Sequence, residues 1–371
     1  MRIAILTSSR ADYGIYHPLL KALHADSFFK LKIIVFGTHL SHFHGSTVLD
    51  IEADGFEVDE RLETLILGDT EEAISNAIGN TITKFSSLWT RLKDEIDLVF
   101  ALGDRYEMFA AVSASIPFNL KVVHIHGGET TTGAIDDKFR HAISLMSKIH
   151  FTSTEEYAQR VTKLTNSSDN IYNVGALGID NLSNMNLLSI DEFKSKYNID
   201  LSTPTILNTL HPETANTQDN RDNAILISKV FDQISKDFQV VITMPNADTY
   251  GTVIREHFSN LIENNSRIIG VESLGRLGYF SCMKHCSFLL GNTSSGLIEA
   301  PSLKKYVINV GERQGGRARS ENVFDVDYNY DEIIRLIRKV AKLGNYRGTN
   351  IYKGSEPVAK KITNILKRFK T

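Results

Sequence analysis

Cysteine is nearly absent from this 371-residue chain: Cys282 and Cys286 are the only two. That excludes a disulfide framework and points to a reducing, cytoplasmic setting. An excess of charge of either sign is missing too. Lysine and arginine total 41 against 44 aspartates and glutamates, a formal net charge of −3. Such a balance leaves no electrostatic footprint for nucleic acid or an anionic membrane, so neither is expected as a partner. No apolar run approaches the roughly 18 residues of a membrane-spanning helix. The opening MRIAILTSSR reads as a first β-strand rather than a signal peptide. Internal repeats and low-complexity tracts are also missing, as are two phosphate-binding motifs. No G-x-x-x-x-G-K-[ST] occurs, which excludes a P-loop NTPase. The first strand runs into SSRADYG rather than G-x-G-x-x-G, which argues against an ordinary dinucleotide-binding domain.

What is present is an ordinary globular composition, 42% apolar and 23% charged, long enough for two domains at roughly 100–200 residues each. Short apolar runs recur at Ile3–Leu6, Leu31–Phe36, Leu98–Leu102, Val122–Ile125, Ile206–Leu210, Val240–Met244, Phe288–Leu290 and Tyr306–Val310. Helical periods fall between them, around Thr70–Leu92, Tyr106–Ser115, Arg221–Phe231 and Asp331–Leu343. Fully apolar strands alternating with helices predict an α/β protein with parallel sheets covered on both faces. A hinge is expected around Gly178–Asp200, after the strand Ile171–Val174, giving domains at 1–180 and 181–355. The basic amphipathic segment 356–371 is expected to be a helix that packs back on the first domain.

In open parallel sheets, ligands bind beyond the carboxyl ends of the strands, so the residues there are the functional candidates. In the first half these are Arg10 and Asp12 in TSSRADYG, Asp104 and Arg105 in GDRYE, and His126, Glu129, Asp136 and Asp137 in HGGETTTGAIDD. In the second half they are His211 in HPE, the GNTSSG loop leading to Glu299, and Arg313 and Arg317 in GERQGGR. Ser294, Ser295 and Gly296 read as a phosphate cradle, since small residues and free helix N–H groups accommodate an anion. Glu299, one turn further on, is placed to take a ribose diol, and the arginines to hold a diphosphate between domains. The competing reading is a plain serine N-cap with a glycine turn. Asp104, Glu129 and Asp136 are candidates for acid–base work on a sugar, with helix capping the alternative for Asp104, Asp136 and Asp137. The pairs His42-x-His44 and His124-x-His126 permit a zinc reading, but no H-E-x-x-H or cysteine pair supplies further ligands. The two cysteines, on an apolar helix over Leu277–His285, read as core residues.

RADYG, LGDRYE, HIHGGETTTGAIDD with RHAISLMSKIHF, LHPET, PNAD and GNTSSGLIEAP with INVGERQGGR follow one another along nearly the whole chain. In that order they resemble the hydrolysing UDP-N-acetylglucosamine 2-epimerases of sialic-acid and related nonulosonic-acid pathways. The resemblance implies a GT-B fold, two Rossmann-like domains with the ligand between them, a homodimer, and no nicotinamide or metal cofactor. It implies a reaction in which the carbon-2 proton is removed as UDP leaves carbon 1, giving a glycal that water then hydrates. Inversion at carbon 2 releases a free mannosamine-type sugar. The substrate implied first is UDP-N-acetylglucosamine, and UDP-N,N′-diacetylbacillosamine is the alternative. A GT-B glycosyltransferase and a non-catalytic UDP-sugar sensor are the competing classes. Asp104 and Asp136 match the family's catalytic carboxylates, and His211 a histidine near the diphosphate and sugar. Arg10, Ser294, Ser295, Glu299 and Arg313 match UDP-binding positions; Asp12, Arg105, Asp137 and Gly296 are expected beside the substrate. The family often carries H-x-E-G-G-E where this chain reads H-I-H-G-G-E, so either His126 or Glu129 takes the role of that acid. The uracil is expected near Val271–Leu274.

Overall fold

The computed structural model describes residues 1–68, 70–130, 135–183, 185–213, 220–244 and 251–369. These form two compact units. The first takes in 1–129, 135–181 and 352–369, and the second Thr130 and 182–351.

Seven parallel strands build the first unit's sheet: β1 (Arg2–Thr7), β2 (Lys30–Phe36), β3 (Glu60–Leu62), β4 (Leu98–Leu102), β5 (Val122–Ile125), β6 (Ile149–Thr152) and β7 (Ile171–Asn173). Their spatial order is β3-β2-β1-β4-β5-β6-β7. Every residue of β4, β5 and β6 is buried, the pattern of strands covered by helices on both faces. One face carries Ile3, Ile5, Phe100 and Phe151. The other carries Ala4, Leu6, Val99 and Ala101, packed under Phe85 and Trp89 of the helix Glu71–Leu92. Thr70 starts that helix by accepting the Ala73 N–H at 3.1 Å.

The second unit repeats the plan with six parallel strands: β8 (Thr205–Thr209), β9 (Gln239–Thr243), β10 (Ile268–Val271), β11 (Phe288–Gly291), β12 (Val307–Val310) and β13 (Val323–Val326). The order is β10-β9-β8-β11-β12-β13. In each sheet the order reverses beside the unit's first strand, between β1 and β4 and between β8 and β11. These topological switch points are where doubly wound sheets open a crevice for ligands.

Four strands are not among those expected from the sequence: β3, β6, β10 and β13. Three are the last or first strand of a sheet, and there one side of the ladder asks for less apolar surface. The fourth, β6, hides behind His150, which is buried in IHFT. The segment around Gly178–Asp200 is largely helical rather than a plain linker, with helices Gly178–Ser183 and Ile190–Tyr197. The latter opens on a reciprocal capping box between Ser189 and Glu192.

The chain returns to the first unit at its end. The helix Val358–Arg368 packs against the helix Arg10–His24 and adds Val358, Ile362 and Leu366 to the core. Asp180 fixes its start: its carboxylate accepts the Val358 and Ala359 N–H groups at 2.9 and 2.7 Å. Lys361 donates to the Asn173 carbonyl at 2.7 Å.

Candidate active site

At the end of β1, Ser9 caps the helix Arg10–His24 and accepts the Asp12 N–H at 3.3 Å. Asp12 turns back and accepts both the backbone N–H and the hydroxyl of Ser8, at 3.0 and 2.6 Å. It is buried, and burial pushes its carboxyl up against the opposing charge of Arg105. Asp12 is therefore engaged in shaping the turn, whereas Arg10, in the helix's first turn, is exposed.

Beyond β4, Arg105 occupies the cap position of the helix Tyr106–Ser113 and makes no side-chain capping bond. Its guanidinium reaches Glu107 at 2.6 Å. Asp104 does not cap that helix; it is paired with the guanidinium of Arg140. The capping reading of Asp136 and Asp137 is corrected as well. Both lie inside the first turn of the helix Asp136–Met146, whose cap position is Ile135 and lacks a side-chain bond. The Asp136 carboxyl is pushed up, chiefly by lost solvation and then by the like charge of Asp104.

Beyond β5 the backbone of His126 adopts φ +64°, a conformation uncommon outside glycine. Two bonds hold it there. Its N–H donates to the Phe151 carbonyl at 2.9 Å, and its own carbonyl accepts Arg140 Nη1 at 2.9 Å. Gly128 follows at φ +79°, where a Cβ would sit 2.5 Å from the Tyr157 carbonyl oxygen, so only glycine fits. This turn brings Glu129 back onto the ring: His126 Nδ1 and Glu129 Oε1 are 2.7 Å apart. Ser153 donates to the same oxygen at 2.8 Å. Arg140 Nη1 lies 4.0 Å from Glu129 Oε2. Asp104, His126 and Glu129 thus meet around one buried arginine, with Asp136 a turn before it on the same helix. Neither Arg140 nor Ser153 was among the site residues expected from the sequence, Arg140 entering only within the motif RHAISLMSKIHF.

His124 does not pair with His126 as a metal ligand would. Its Nε2 donates to the Gly103 carbonyl at 2.8 Å and its Nδ1 accepts from Ser144 at 2.9 Å. Burial pushes the ring down to about 3, which keeps it neutral. Among the described residues, no group of three or more histidine, cysteine, aspartate or glutamate side chains is placed to hold a metal.

In the second unit, Asn292 organises the switch point. Its side chain accepts the His211 N–H at 2.7 Å and donates to the His211 carbonyl at 2.8 Å, tying the ends of β8 and β11 together. Its carbonyl accepts Arg313 Nη1 at 3.1 Å and Gln314 Nε2 at 2.9 Å. The sequence marked this loop for its serines and missed the asparagine between strand and helix. Burial pushes the His211 imidazole down to about 4, with the charge of Arg313 adding to it. Burial and then Arg317 lower the Arg313 guanidinium, so two cations crowd one loop.

The cap of the short helix Ser294–Ile298 is Thr293, not a serine; it accepts the Ser295 N–H at 3.4 Å. Ser294 and Ser295 are half-buried in the first turn. Gly296 faces the sheet instead, where a Cβ would come within 2.9 Å of Val307 Cγ1. The missing side chain lets helix and strand pack closely there. Glu299 ends the helix, and burial pushes its carboxyl up to about 7 against a hydrogen bond from Ser295. Tyr279, pushed up to about 12 by burial, shares these polar neighbours. Leu274, expected near a uracil, already gives its carbonyl to the Tyr197 hydroxyl at 2.9 Å. The PNAD motif at 245–248, residues 131–134 and Thr214 lie outside the described residues.

Two Rossmann-like units of parallel sheet, one lined at its switch point by acid–base groups and the other by arginines and hydroxyls, define a GT-B-type α/β enzyme. The chain belongs to the UDP-N-acetylglucosamine 2-epimerase family, whose profile matches residues 21–367. It is 34% identical over 368 residues to a hydrolysing UDP-N,N′-diacetylbacillosamine 2-epimerase of Legionella pneumophila, covering 99% of this chain and 95% of that protein. It is 33% identical to a hydrolysing GDP/UDP-N,N′-diacetylbacillosamine 2-epimerase of Campylobacter jejuni, covering 88% and 85%. The crystal structure of UDP-GlcNAc 2-epimerase from Neisseria meningitidis bound to UDP-GlcNAc shares the fold, with a TM-score of 0.81, 19% identity and full coverage of both chains. No helix among the described residues is long and apolar enough to cross a membrane.

Proposed function

We propose that this chain hydrolyses a UDP-linked 2-acetamido sugar with inversion at carbon 2. The observation that carries the reading is the convergence of Asp104, His126 and Glu129 on Arg140 at the strand ends of a chain in this family. Removing a proton from carbon 2 and returning one to the opposite face needs at least two acid–base groups. Asp104 and the His126–Glu129 pair supply groups able to accept a proton, and Asp136, with its raised carboxyl, a group able to give one. Arg313, the Ser294 N–H and the hydroxyls of Ser294 and Ser295 would hold the diphosphate, which leaves with the carbon 1–oxygen electron pair. Glu299 would take the ribose hydroxyls, and His211, Arg10 and Arg105 the diphosphate and sugar. We assign the same overall setting to the enzyme as its resemblance implies: a cytoplasmic homodimer feeding nonulosonic-acid synthesis.

The Legionella pneumophila and Campylobacter jejuni relatives carry names specifying an N,N′-diacetylbacillosamine nucleotide, and this supports UDP-N,N′-diacetylbacillosamine as substrate. UDP-N-acetylglucosamine, the expectation from the sequence, is the second reading; the Neisseria meningitidis structure of the same fold holds it. Incubation with each UDP-sugar in deuterated water should release UDP and a free sugar carrying deuterium at carbon 2. Release of a sugar without deuterium, or turnover only with an added acceptor, would overturn the assignment. The ratio of kcat/KM for the two substrates decides between them.

A further inference from the structure

Glu129 sits 4% exposed and Ser153 fully buried, and Oε1 of that carboxylate meets both the Ser153 hydroxyl and His126 Nδ1. A hydroxyl has a proton to give and a carboxylate has none, so Ser153 is the donor and the remaining contact requires a proton on Nδ1. The neutral ring then carries its lone pair on Nε2. That atom is buried and has no hydrogen-bond partner among the described residues. Buried polar atoms are paired in the great majority of cases, and an exception at a strand end asks for a functional reason. The backbone adds a second one. His126 is held at positive φ from both sides, a conformation that costs a side chain energy a glycine would not incur. Such positions persist when the surrounding structure over-determines them.

From this geometry, and resting on the hydrolysing-epimerase reading, we infer that His126 Nε2 takes the carbon-2 proton, while Glu129, Ser153 and Arg140 are positioning residues that fix its tautomer and direction. The arrangement is the orienting logic of a base held by a carboxylate. As Nε2 takes the proton, the carbon 2–hydrogen pair becomes the carbon 1–carbon 2 double bond. The carbon 1–oxygen pair leaves on UDP, and the imidazolium is stabilised by the Glu129 carboxylate. Water then adds its hydroxyl to carbon 1 while Asp136 gives its proton to carbon 2. Asp136 recovers a proton from that water, and His126 releases its own to solvent. Arg140 does double duty: it holds the His126 carbonyl and the Asp104 carboxylate with one guanidinium.

The test is read first on the full chain with no substrate present. Long-range proton–nitrogen spectra of protein labelled with 15N-histidine report the tautomer of each ring, and the His126 signals are those lost in His126→Gln. The expected wild-type pattern is a protonated Nδ1 and an unprotonated Nε2. Glu129→Gln, whose amide can donate as well as accept, should lose that preference and lower kcat about 10²–10⁴-fold, with KM within a few-fold. Ser153→Ala should lose less, and Ser153→Thr should recover most of the loss. A wild-type ring protonated at Nε2, or a Glu129→Gln protein that keeps both tautomer and kcat, overturns the inference. Because the tautomer is measured without substrate, its failure stands apart from that of the functional reading. A protein with the expected tautomer that turns over neither UDP-sugar overturns the latter, and with it the role of Nε2.

Discussion

Glu299 is a half-buried carboxyl stabilised by a hydrogen bond from Ser295, and Glu299→Gln should make the protein more stable at alkaline pH while weakening its hold on UDP. Burial raises the carboxyl from its ordinary 4.5 to about 7. The folded state therefore keeps a proton that the unfolded chain has already lost between those values. The group's contribution to stability is full below pH 4.5 and is lost as pH rises through about 7. At pH 8.5 the carboxylate is ionised in both states and the folded state bears the cost of burying it. The full elevation corresponds to a ceiling of about 3 kcal/mol. The side chain is half-buried rather than sealed, so solvent screening brings the expectation down to about 1–2 kcal/mol. Glutamine keeps the shape and cannot ionise. The variant should gain this amount at pH 8.5 and next to nothing at pH 4, below the unfolded value. The single tryptophan, Trp89, lies in the first unit, so its fluorescence cannot follow the event. Hydrogen exchange of β11, next to the site, can. Titration with UDP at pH 8.5 supplies the second half of the test: affinity should fall about tenfold, roughly 1.4 kcal/mol for one hydrogen bond to a charged group. A residue kept for packing loses stability when replaced; one kept for a ligand gains it. A stability difference that is the same at both pH values, or a variant that binds UDP like wild type, would refute this account of Glu299.

Asp104→Asn should lower turnover by about 10²–10⁴-fold with UDP affinity within a few-fold of wild type by calorimetry; a fully active variant would remove Asp104 from the acid–base set. Asp180→Ala leaves the Val358 and Ala359 N–H groups without their acceptor, at about 2–4 kcal/mol. Faster hydrogen exchange over Val358–Arg368 should report it, and unchanged protection would count against Asp180 as the anchor of the terminal helix. Gly296→Ala should destabilise the second unit by about 1–3 kcal/mol, because its Cβ meets Val307 Cγ1 at 2.9 Å. Adding Val307→Ala should return part of the loss, and strictly additive effects would argue against that contact.

The α/β class was legible because parallel strands covered on both faces must be apolar along their whole length. LVFAL at Leu98–Leu102 and VVHI at Val122–Ile125 can be little else. Edge strands such as ERL at Glu60–Leu62 carry no such signature. Strand ends pointed to the right loops, since polar residues following an apolar strand have nowhere else to lie. The partnerships inside those loops were not legible. Spacing alone could not show that Asp12 would turn back on Ser8, that Asp104 would pair across 36 residues with Arg140, or that Thr293 rather than a serine would cap its helix. The choice between His126 and Glu129 was of the same kind. Three residues apart, with a positive-φ turn between, they are a single hydrogen-bonded pair. Sequence reasoning treats such groups as competitors because it counts residues; the fold decides through backbone conformation, and here one unusual φ made them partners.

The same topological device carries opposite chemistry in the two units. At the β1/β4 switch point and its neighbour β5, Asp104, Glu129 and His126 gather on Arg140, with Arg105 beside Glu107 next to them. At the β8/β11 switch point, arginines and hydroxyls surround a neutral hub, Asn292. A net charge of −3 supplies no long-range steering for an anionic nucleotide, so discrimination has to come from groups fixed in advance. Asn292 provides this for Arg313: by accepting its Nη1 on a backbone carbonyl, it orders a side chain that would otherwise lose about 2 kcal/mol of rotamer freedom on meeting a phosphate. Arg140 does the corresponding work for the acids, holding Asp104 and the His126 turn before any substrate arrives. Preorganisation of this kind lowers the cost of ordering charge during reaction, and under the proposed function the buried asparagine and arginine would serve the chemistry through the groups they hold.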